Sequence, residues 1–417
     1  MAEPLSRSRA GCALHGALYA VSAIDGVTAL VHSTPGCAVQ AGLWNGHAGC
    51  GGSGAWSTTN LSEKHIVFGG TSRLREQIKN TRSILPGELT VVVTGCPAEM
   101  IGDDVAAMAQ EARDVGDDIV DLATAGFHGS AYHGYEIFLK GVIEKSLQAG
   151  PRQAGLVNIL GPVPRQDGFW LAEIEELSRL IRGIGLKPNP IFGPQGGVAS
   201  LRALGQAELS LSVSPWGHAA AQALFERLGV PRIESSGLPV GADATAELLE
   251  RMVAAAGEVD DAAALAFINA ERRRENHALD QVLETLYRQG SSRSFAVAAP
   301  SLHAGGIARF LIGTLGWSSA AIVITDDPPA GARSVIEAGL HGVHYSEDFD
   351  EINDRLVSSG AEIVFGSSLE RAAASELKAP LIECASPSRR PGLTTGFGGI
   401  RGALTLLEEI VAASAGR

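Results

Sequence analysis

The chain has 417 residues, enough for two or three domains with full cores, and its 45% hydrophobic content and mean hydropathy of +0.12 describe a compact globular protein. Lys and Arg number 33 against 46 Asp and Glu, a net charge of −13, and no basic patch stands out, so no nucleic-acid partner is expected. The opening M-A-E-P-L-S-R-S-R lacks a signal-peptide core, and no run of about 18 apolar residues could span a bilayer, so a soluble, cytoplasmic protein without membrane contact is expected.

The first predicted helix follows Cys12, in R-A-G-C-A-L-H-G-A-L, where Leu14, Leu18 and Val21 recur at helical spacing. Cys12 is thereby placed near a helix N-terminus, where free amides attract an anionic sulfur. The run Val27 to Val31 reads as a buried strand and leads through the turn S-T-P-G to Cys37. A glycine-rich loop from Gly42 to Leu61 contains Cys50. It lacks the Lys-Ser or Lys-Thr ending of a P-loop, and no complete P-loop motif occurs anywhere in the chain, so ATP binding by this polypeptide is not expected. A strand-like I-V-F-G-G precedes a helix over Ser72 to Ser83. A second buried strand, with Leu89 and Val91 to Val93, ends at Thr94-Gly95 beside Cys96. The following C-P-A-E-M-I-G-D-D-V-A-A-M-A-Q-E-A reads as a helix with acids in its early turns. Next, I-V-D-L-A-T-A-G-F-H-G-S-A-Y-H-G-Y gives a strand and a loop holding His128, Ser130 and His133. Two histidines here invite a metal reading, but no third ligand lies in the segment, and surface or core histidines are the plainer reading.

A helix over Tyr135 to Leu147 closes a first domain, 1–152. The second, 153–290, opens on A-G-L-V-N-I-L-G-P-V-P and continues through a helix over Phe169 to Ile184 and a strand around Ser210. In its S-P-W-G-H, His218 reads as a packed, hydrogen-bonded histidine, and the helices of Ala242 to Gln289 carry E-R-R-R-E as a solvated face. The third, 291–417, repeats the pattern from S-F-A-V-A-A-P through A-E-I-V-F-G and A-P-L-I-E-C to a C-terminal helix. The fold class expected is α/β, with three Rossmann-like domains, each a mainly parallel sheet flanked by helices.

Five cysteines without an export signal argue against a disulfide framework. Cys50 and Cys384 read as isolated buried thiols. Cys12, Cys37 and Cys96 differ in sharing one kind of place, the carboxyl edge of a parallel sheet, where ligands bind. Zinc knuckles of Cys-x-x-Cys type are absent, and a nucleophilic cysteine would need only one thiol and a histidine base. Three thiolates without a fourth suit an iron–sulfur cluster shared between two chains. On the residues alone, that cluster, a lone nucleophile and buried thiols all stay open.

The spacing Cys12, Cys37, Cys96, with C-P-A-E-M-I-G-D-D after the third cysteine, F-H-G-S before Ala131, V-N-I-L-G-P, S-P-W-G-H and a late G-F-G-G-I-R-G-A-L, resembles the β-type (K-type) subunit of component 1 in the nitrogenase superfamily. The resemblance covers nearly the whole chain. It implies the nitrogenase component 1 fold, with Cys12, Cys37 and Cys96 as ligands to an [8Fe–7S] P-cluster or a [4Fe–4S] cluster shared with an α-type (D-type) partner. Ser130 stands where the β subunit offers a serine to the oxidised cluster. The implied assembly is an α2β2 heterotetramer served by a homodimeric, ATP-dependent iron–sulfur reductase, with the catalytic cofactor in the partner. Among nitrogenase-like enzymes the pattern is most similar to the smaller subunit of methylthio-alkane reductase, which implies reductive cleavage of C–S bonds. Other branches that the resemblance leaves open are a true nitrogenase β subunit, a protochlorophyllide-reductase-like enzyme and a cofactor-assembly scaffold. The reading as an unrelated α/β ligand-binding protein or dehydrogenase lacks a convincing G-x-G-x-x-G opening a βαβ unit with an acidic residue about 20 positions on.

Overall fold

Three parallel sheets organise the chain in the computed structural model, which describes residues 9–47, 56–85, 87–257, 259–288 and 293–414. In the first lobe α1 (Ala13–Ser22) leads to β1 (Val27–His32), α2 (Pro35–His47) and β2 (Trp56–Thr58). Then follow α3 (Glu63–Phe68), α4 (Thr71–Ile84), β3 (Leu89–Thr94), α5 (Cys96–Met100), α6 (Val105–Asp114), β4 (Ile119–Leu122) and α7 (Ala131–Lys145). The strand order β2-β1-β3-β4 reverses direction between β1 and β3, which pair in register from Val27 with Leu89 to His32 with Thr94. Such a switch point opens a crevice at the carboxyl ends of the two strands. Every side chain of β3 is buried, as its L-T-V-V-V-T composition requires of a strand covered on both faces. Helices α1 and α7 lie so close that a Cβ on Gly16 or Gly134 would overlap the backbone of the facing helix.

Three sequence readings in this lobe are corrected. I-V-F-G-G is not a strand: His65 to Phe68 end helix α3, whose start is fixed by the Ser62 N–H donating to His65 Nδ1 at 3.0 Å. Local capping outweighs the β-propensity of Ile66, Val67 and Phe68, none of which is buried. The glycine-rich loop is shorter than expected, because α2 begins on Pro35 and runs to His47 and the loop's far side forms the edge strand β2. Cys50 lies outside the described residues. The helix after Cys96 is broken into α5 and α6: Gly102 adopts φ +74°, and Asp104 then caps α6 by accepting the Ala107 N–H at 3.0 Å.

The second lobe comprises β5 (Gln153–Leu160), α8 (Trp170–Gly183), β6 (Lys187–Pro190), α9 (Val198–Ala203), β7 (Ala207–Ser212), α10 (Pro215–Leu228) and β8 (Arg232–Glu234), followed by α11 (Ala242–Ala255) and α12 (Asp261–Arg288). Its parallel order is β6-β5-β7-β8. Strand β6, K-P-N-P, gives no strand pattern in sequence and is tolerated because it lies at the edge. The third lobe comprises β9 (Ser294–Ala299), α13 (Ala304–Gly313), β10 (Ser318–Ile324), α14 (Ala330–Glu337), β11 (Val343–Tyr345), α15 (Phe349–Ser359), β12 (Ile363–Gly366), α16 (Arg371–Leu377), β13 (Leu381–Glu383) and α17 (Gly399–Ser414). Its parallel order is β11-β10-β9-β12-β13. One apolar core joins the first lobe to the near side of the second, from Leu18 and Val93 through Phe138 to Trp216 and Leu224. Helix α12 bridges the other pair: Ala264 and Ile268 pack in the second lobe's core, Leu279 and Leu286 in the third's. Among the described residues no helix is long and apolar enough to cross a membrane.

Where the second and third lobes face each other, buried polar groups pair with one another, and only Nδ1 of His303 among the groups named below lacks a partner. Trp216 Nε1 donates to Asp326 Oδ2 at 2.5 Å, and the Ser301 amide and hydroxyl donate to the same carboxylate at 2.7 and 2.5 Å. Glu173 accepts the amides of Phe397 and Gly398 at 2.6 and 2.8 Å and lies 3.2 Å from His303 Nε2. Asp167 accepts the Val163 amide at 2.6 Å and the Tyr132 hydroxyl at 3.3 Å. Burial pushes the Asp167 carboxyl up to about 7 and raises Asp326 as well. Burial alone would lower His303, but the Glu173 carboxylate beside it holds it above its ordinary value.

Candidate functional site

Each of the three cysteines is set by an element boundary of the first lobe. Cys12 is the N-cap of α1, in extended backbone (φ −83°, ψ 173°). It is locked opposite Ser130 by two backbone hydrogen bonds, Ala13 N–H to Gly129 O at 2.9 Å and Ala131 N–H to Gly11 O at 2.7 Å. Cys37 sits in the first turn of α2, beyond the end of β1, and Cys96 begins α5 beyond the end of β3. Because β1 and β3 are neighbours at the switch point, these two cysteines are carried to the same crevice.

The loop after β4 completes the group. Gly126 donates its amide to Cys96 Sγ at 3.1 Å. A Cβ on Gly126 would lie 3.2 Å from Cys96 Sγ and 3.7 Å from Cys12 Sγ, and one on Gly95 would lie 3.4 Å from Cys37 Sγ. The sulfurs therefore surround two glycine backbones, at places where a larger residue would intrude on them. All three thiols are free and half-exposed. Among the described residues no set of three Cys, His, Asp or Glu side chains closes on a single metal ion. Separated thiolates of this kind fit a polynuclear cluster, in which different irons take different ligands.

The segment after Cys96 works as a clamp, a role that residue chemistry in the sequence does not disclose. Glu99 accepts from the Thr94 hydroxyl, from the Ala125 amide at 2.9 Å and, at its other oxygen, lies 2.6 Å from His128 Nε2. Burial would raise this carboxyl, but those donors hold it below the ordinary carboxylate range. Glu99 thus ties the Cys96 turn to the loop bearing Gly126. Asp103 accepts the Gly70 amide at 2.7 Å and the Thr71 hydroxyl at 3.2 Å, and lies 3.0 Å from the Nε2 of buried His32 at the end of β1. Burial keeps His32 below its ordinary value, against the pull of Asp103. The motif C-P-A-E-M-I-G-D-D therefore fixes both strand ends relative to one another.

The remaining sequence candidates fall into place around this group. His128 is paired with Glu99, and His133 Nδ1 accepts the Ser130 amide at 3.3 Å while its ring packs edge-on against Trp216. Ser130, beside Cys12 in the backbone pairing, has its hydroxyl 3.2 Å from His133 Nδ1 and also donates to Glu347, whose carboxyl burial pushes up to about 7. His218 is a packed histidine whose Nε2 donates to the Ser235 carbonyl at 3.1 Å. Cys384 is fully buried at the end of β13, remote from the other thiols in the third lobe's core, and burial pushes its thiol far up.

The cysteine-bearing segments are also apolar on their outer side. Met100, four residues after Cys96, is 78% exposed, and Phe127, next to Gly126, is 61% exposed. Val39 and Leu43 on α2 and Val67 and Phe68 on α3 are exposed too. Large apolar side chains are thus left in water on the segments that carry Cys37 and Cys96 and next to Gly126, which contacts Cys96.

Fold and site together define a class: a three-lobed parallel α/β chain with three free cysteines at the edge of its first lobe. The chain belongs to the nitrogenase component 1 type oxidoreductase family, whose model matches residues 12–414. It is 24% identical to the nitrogenase molybdenum-iron protein beta chain of Sinorhizobium fredii, over 96% of this chain and 82% of that one. A shorter stretch, 29% of this chain, is 36% identical to the nitrogenase iron-molybdenum cofactor biosynthesis protein NifE of Bradyrhizobium diazoefficiens, covering 22% of that protein. The solved structure of nitrogenase Cp1 at pH 6.5 superposes with a TM-score of 0.83 over 100% of this chain and 94% of that one, at 20% identity, and shares its fold.

Proposed function

We propose that this chain is the β-type, electron-relay subunit of a nitrogenase-like reductase. The observation that carries the reading is the convergence of Cys12, Cys37 and Cys96, free and half-exposed, on one crevice with apolar side chains around it. In this reading the three thiolates hold one side of an iron–sulfur cluster, of [8Fe–7S] P-cluster or [4Fe–4S] type, and an α-type partner holds the other. Ser130 adds an oxygen donor next to Cys12. When bound, the cluster supplies one-electron transfer. The chain's own residues fix the sulfurs, through Glu99 and Asp103, and exclude water by seating Met100 and Phe127 against the partner. The assembly is an α2β2 heterotetramer, supplied with electrons by a homodimeric, ATP-dependent iron–sulfur reductase. The partner carries the catalytic cofactor, and the net reaction is reductive C–S cleavage of a methylthio-alkane, in which two electrons and two protons yield methanethiol and the hydrocarbon.

A second reading, a cofactor-assembly scaffold, is favoured by the 36% identity to NifE over one stretch. The two are separated by purifying the chain anaerobically with its partner and supplying reductase, ATP and a methylthio-alkane such as ethyl methyl sulfide. The relay reading expects methanethiol in proportion to ATP consumed. An iron-loaded complex that forms no methanethiol with any methylthio-alkane contradicts the assigned reaction, and one that instead releases its cluster to another protein supports the scaffold.

A further inference from the structure

The chain gives each of the three sulfurs a different neighbour. Cys96 Sγ receives the Gly126 amide at 3.1 Å, Cys37 Sγ receives the Ser33 hydroxyl at 3.2 Å, and Cys12 Sγ lies 3.9 Å from His15 Nδ1, too far for a comparable bond. The Ser33 bond is the one made by a side chain at full hydrogen-bond strength, and Ser33 is fully buried. It is also fixed in place. Its amide donates to Thr59 Oγ1 at 3.2 Å, its carbonyl accepts the Leu61 amide at 3.0 Å, and a Cβ on neighbouring Gly95 would overlap its hydroxyl. Ser33 is therefore held at the junction of β1 and β3, with its O–H aimed at a cysteine that belongs to a different structural boundary.

A hydrogen bond to a thiolate draws charge off the sulfur. It favours the more negative, reduced state of any cluster that the sulfur holds, and the effect is strengthened where water is excluded. Such partners of the ligands also fix their orientation. We propose that Ser33 is a positioning residue that orients Cys37 and sets the reduction potential of the shared cluster upward through its O–H···S bond. This rests on the reading of Cys12, Cys37 and Cys96 as cluster ligands. Ser33→Ala removes the hydroxyl and leaves nearly the same volume, so a residue that only filled space would show no redox phenotype.

The test is a redox titration followed by electron paramagnetic resonance, with iron quantitation, on the complete complex carrying wild-type chain, Ser33→Ala or Ser33→Thr. The expected result is wild-type iron in both variants, a midpoint shifted to more negative potential in Ser33→Ala, and a midpoint returned toward wild type in Ser33→Thr. An unchanged midpoint in iron-replete Ser33→Ala overturns the proposal and leaves the cysteine reading intact. So does iron lost in Ser33→Ala and not regained in Ser33→Thr, which reduces Ser33 to a packing role. A wild-type complex without iron overturns the cysteine reading itself, and the proposal with it.

Discussion

The carboxyl edge of the first sheet and those of the second and third are put to opposite uses. In the first lobe Cys37 and Cys96, beyond the ends of β1 and β3, and Cys12, which caps α1, are half-exposed, and Met100 and Phe127 stand in water. In the other two lobes the strand ends turn toward each other, and Trp216 and Ser301 pair with Asp326 and His303 with Glu173, out of contact with solvent. The same architectural edge thus yields one region whose polar groups pair within the chain and one that leaves free thiols beside exposed apolar side chains. Buried polar groups that find partners within the chain report on folding, and free thiols behind exposed apolar side chains report on function.

That contrast can be broken at either end. The largest effect is expected from Cys96→Ala or Cys12→Ala, which should abolish substrate reduction and strip the interfacial iron while thermal unfolding stays near wild type; full iron and activity in either variant would refute the ligand assignment. Next, Phe127→Glu or Met100→Glu should leave the fold intact and weaken association with the partner by tenfold or more, because about 1.4 kcal/mol of charge burial already suffices for that factor. Analytical ultracentrifugation of the mixed subunits measures it, and unchanged association would remove these residues from the interface. Glu99→Gln should cost about 1 kcal/mol in urea unfolding, since a half-buried carboxylate loses its charge-assisted donors, and should also lower iron uptake. Trp216→Phe should cost a similar amount by removing a donor from buried Asp326, but with iron content unchanged. A loss of iron there would mean that the two edges are not independent.

The last effect leaves iron and activity aside and appears only as a pH slope in stability. Burial lifts Asp167 from 3.8 to about 7, so between those values the folded chain binds a proton that the unfolded chain has released. The stability this group contributes is greatest below about pH 4 and falls, by up to about 1.4 kcal/mol per pH unit, as pH rises toward 7. Asp167→Asn should flatten that slope, so the difference in unfolding free energy between variant and wild type should grow in the variant's favour from pH 5 to pH 8. Parallel profiles would show that Asp167 titrates normally.

Much of the first lobe was legible in the sequence because its central strands are continuous β-branched runs, with Cys37 and Cys96 a short turn beyond them and Cys12 just before a helical repeat. The strand ends name the crevice once the sheet is taken as parallel, and the structure puts the switch point between the two strands that precede Cys37 and Cys96. Helix α3 was misread because Ile66 to Phe68 favour strands while the decisive contact, Ser62 to His65, is a histidine substitute for the usual acid in a capping box. The edge strand β6 was missed because two prolines in four residues argue against a strand everywhere except at an edge. The clamp roles of Glu99 and Asp103 could not be read at all, since their partners Ala125, His128, Gly70 and His32 lie up to 71 residues away and the pairing exists only once β1, β3 and β4 are side by side.

The central claim is most directly tested by anomalous diffraction at the iron edge from crystals of the chain purified anaerobically with its α-type partner. The account predicts one iron peak cluster at the subunit boundary, within bonding distance of the sulfurs of Cys12, Cys37 and Cys96. Iron found only elsewhere in the complex, with these three sulfurs packed against protein alone, would contradict it.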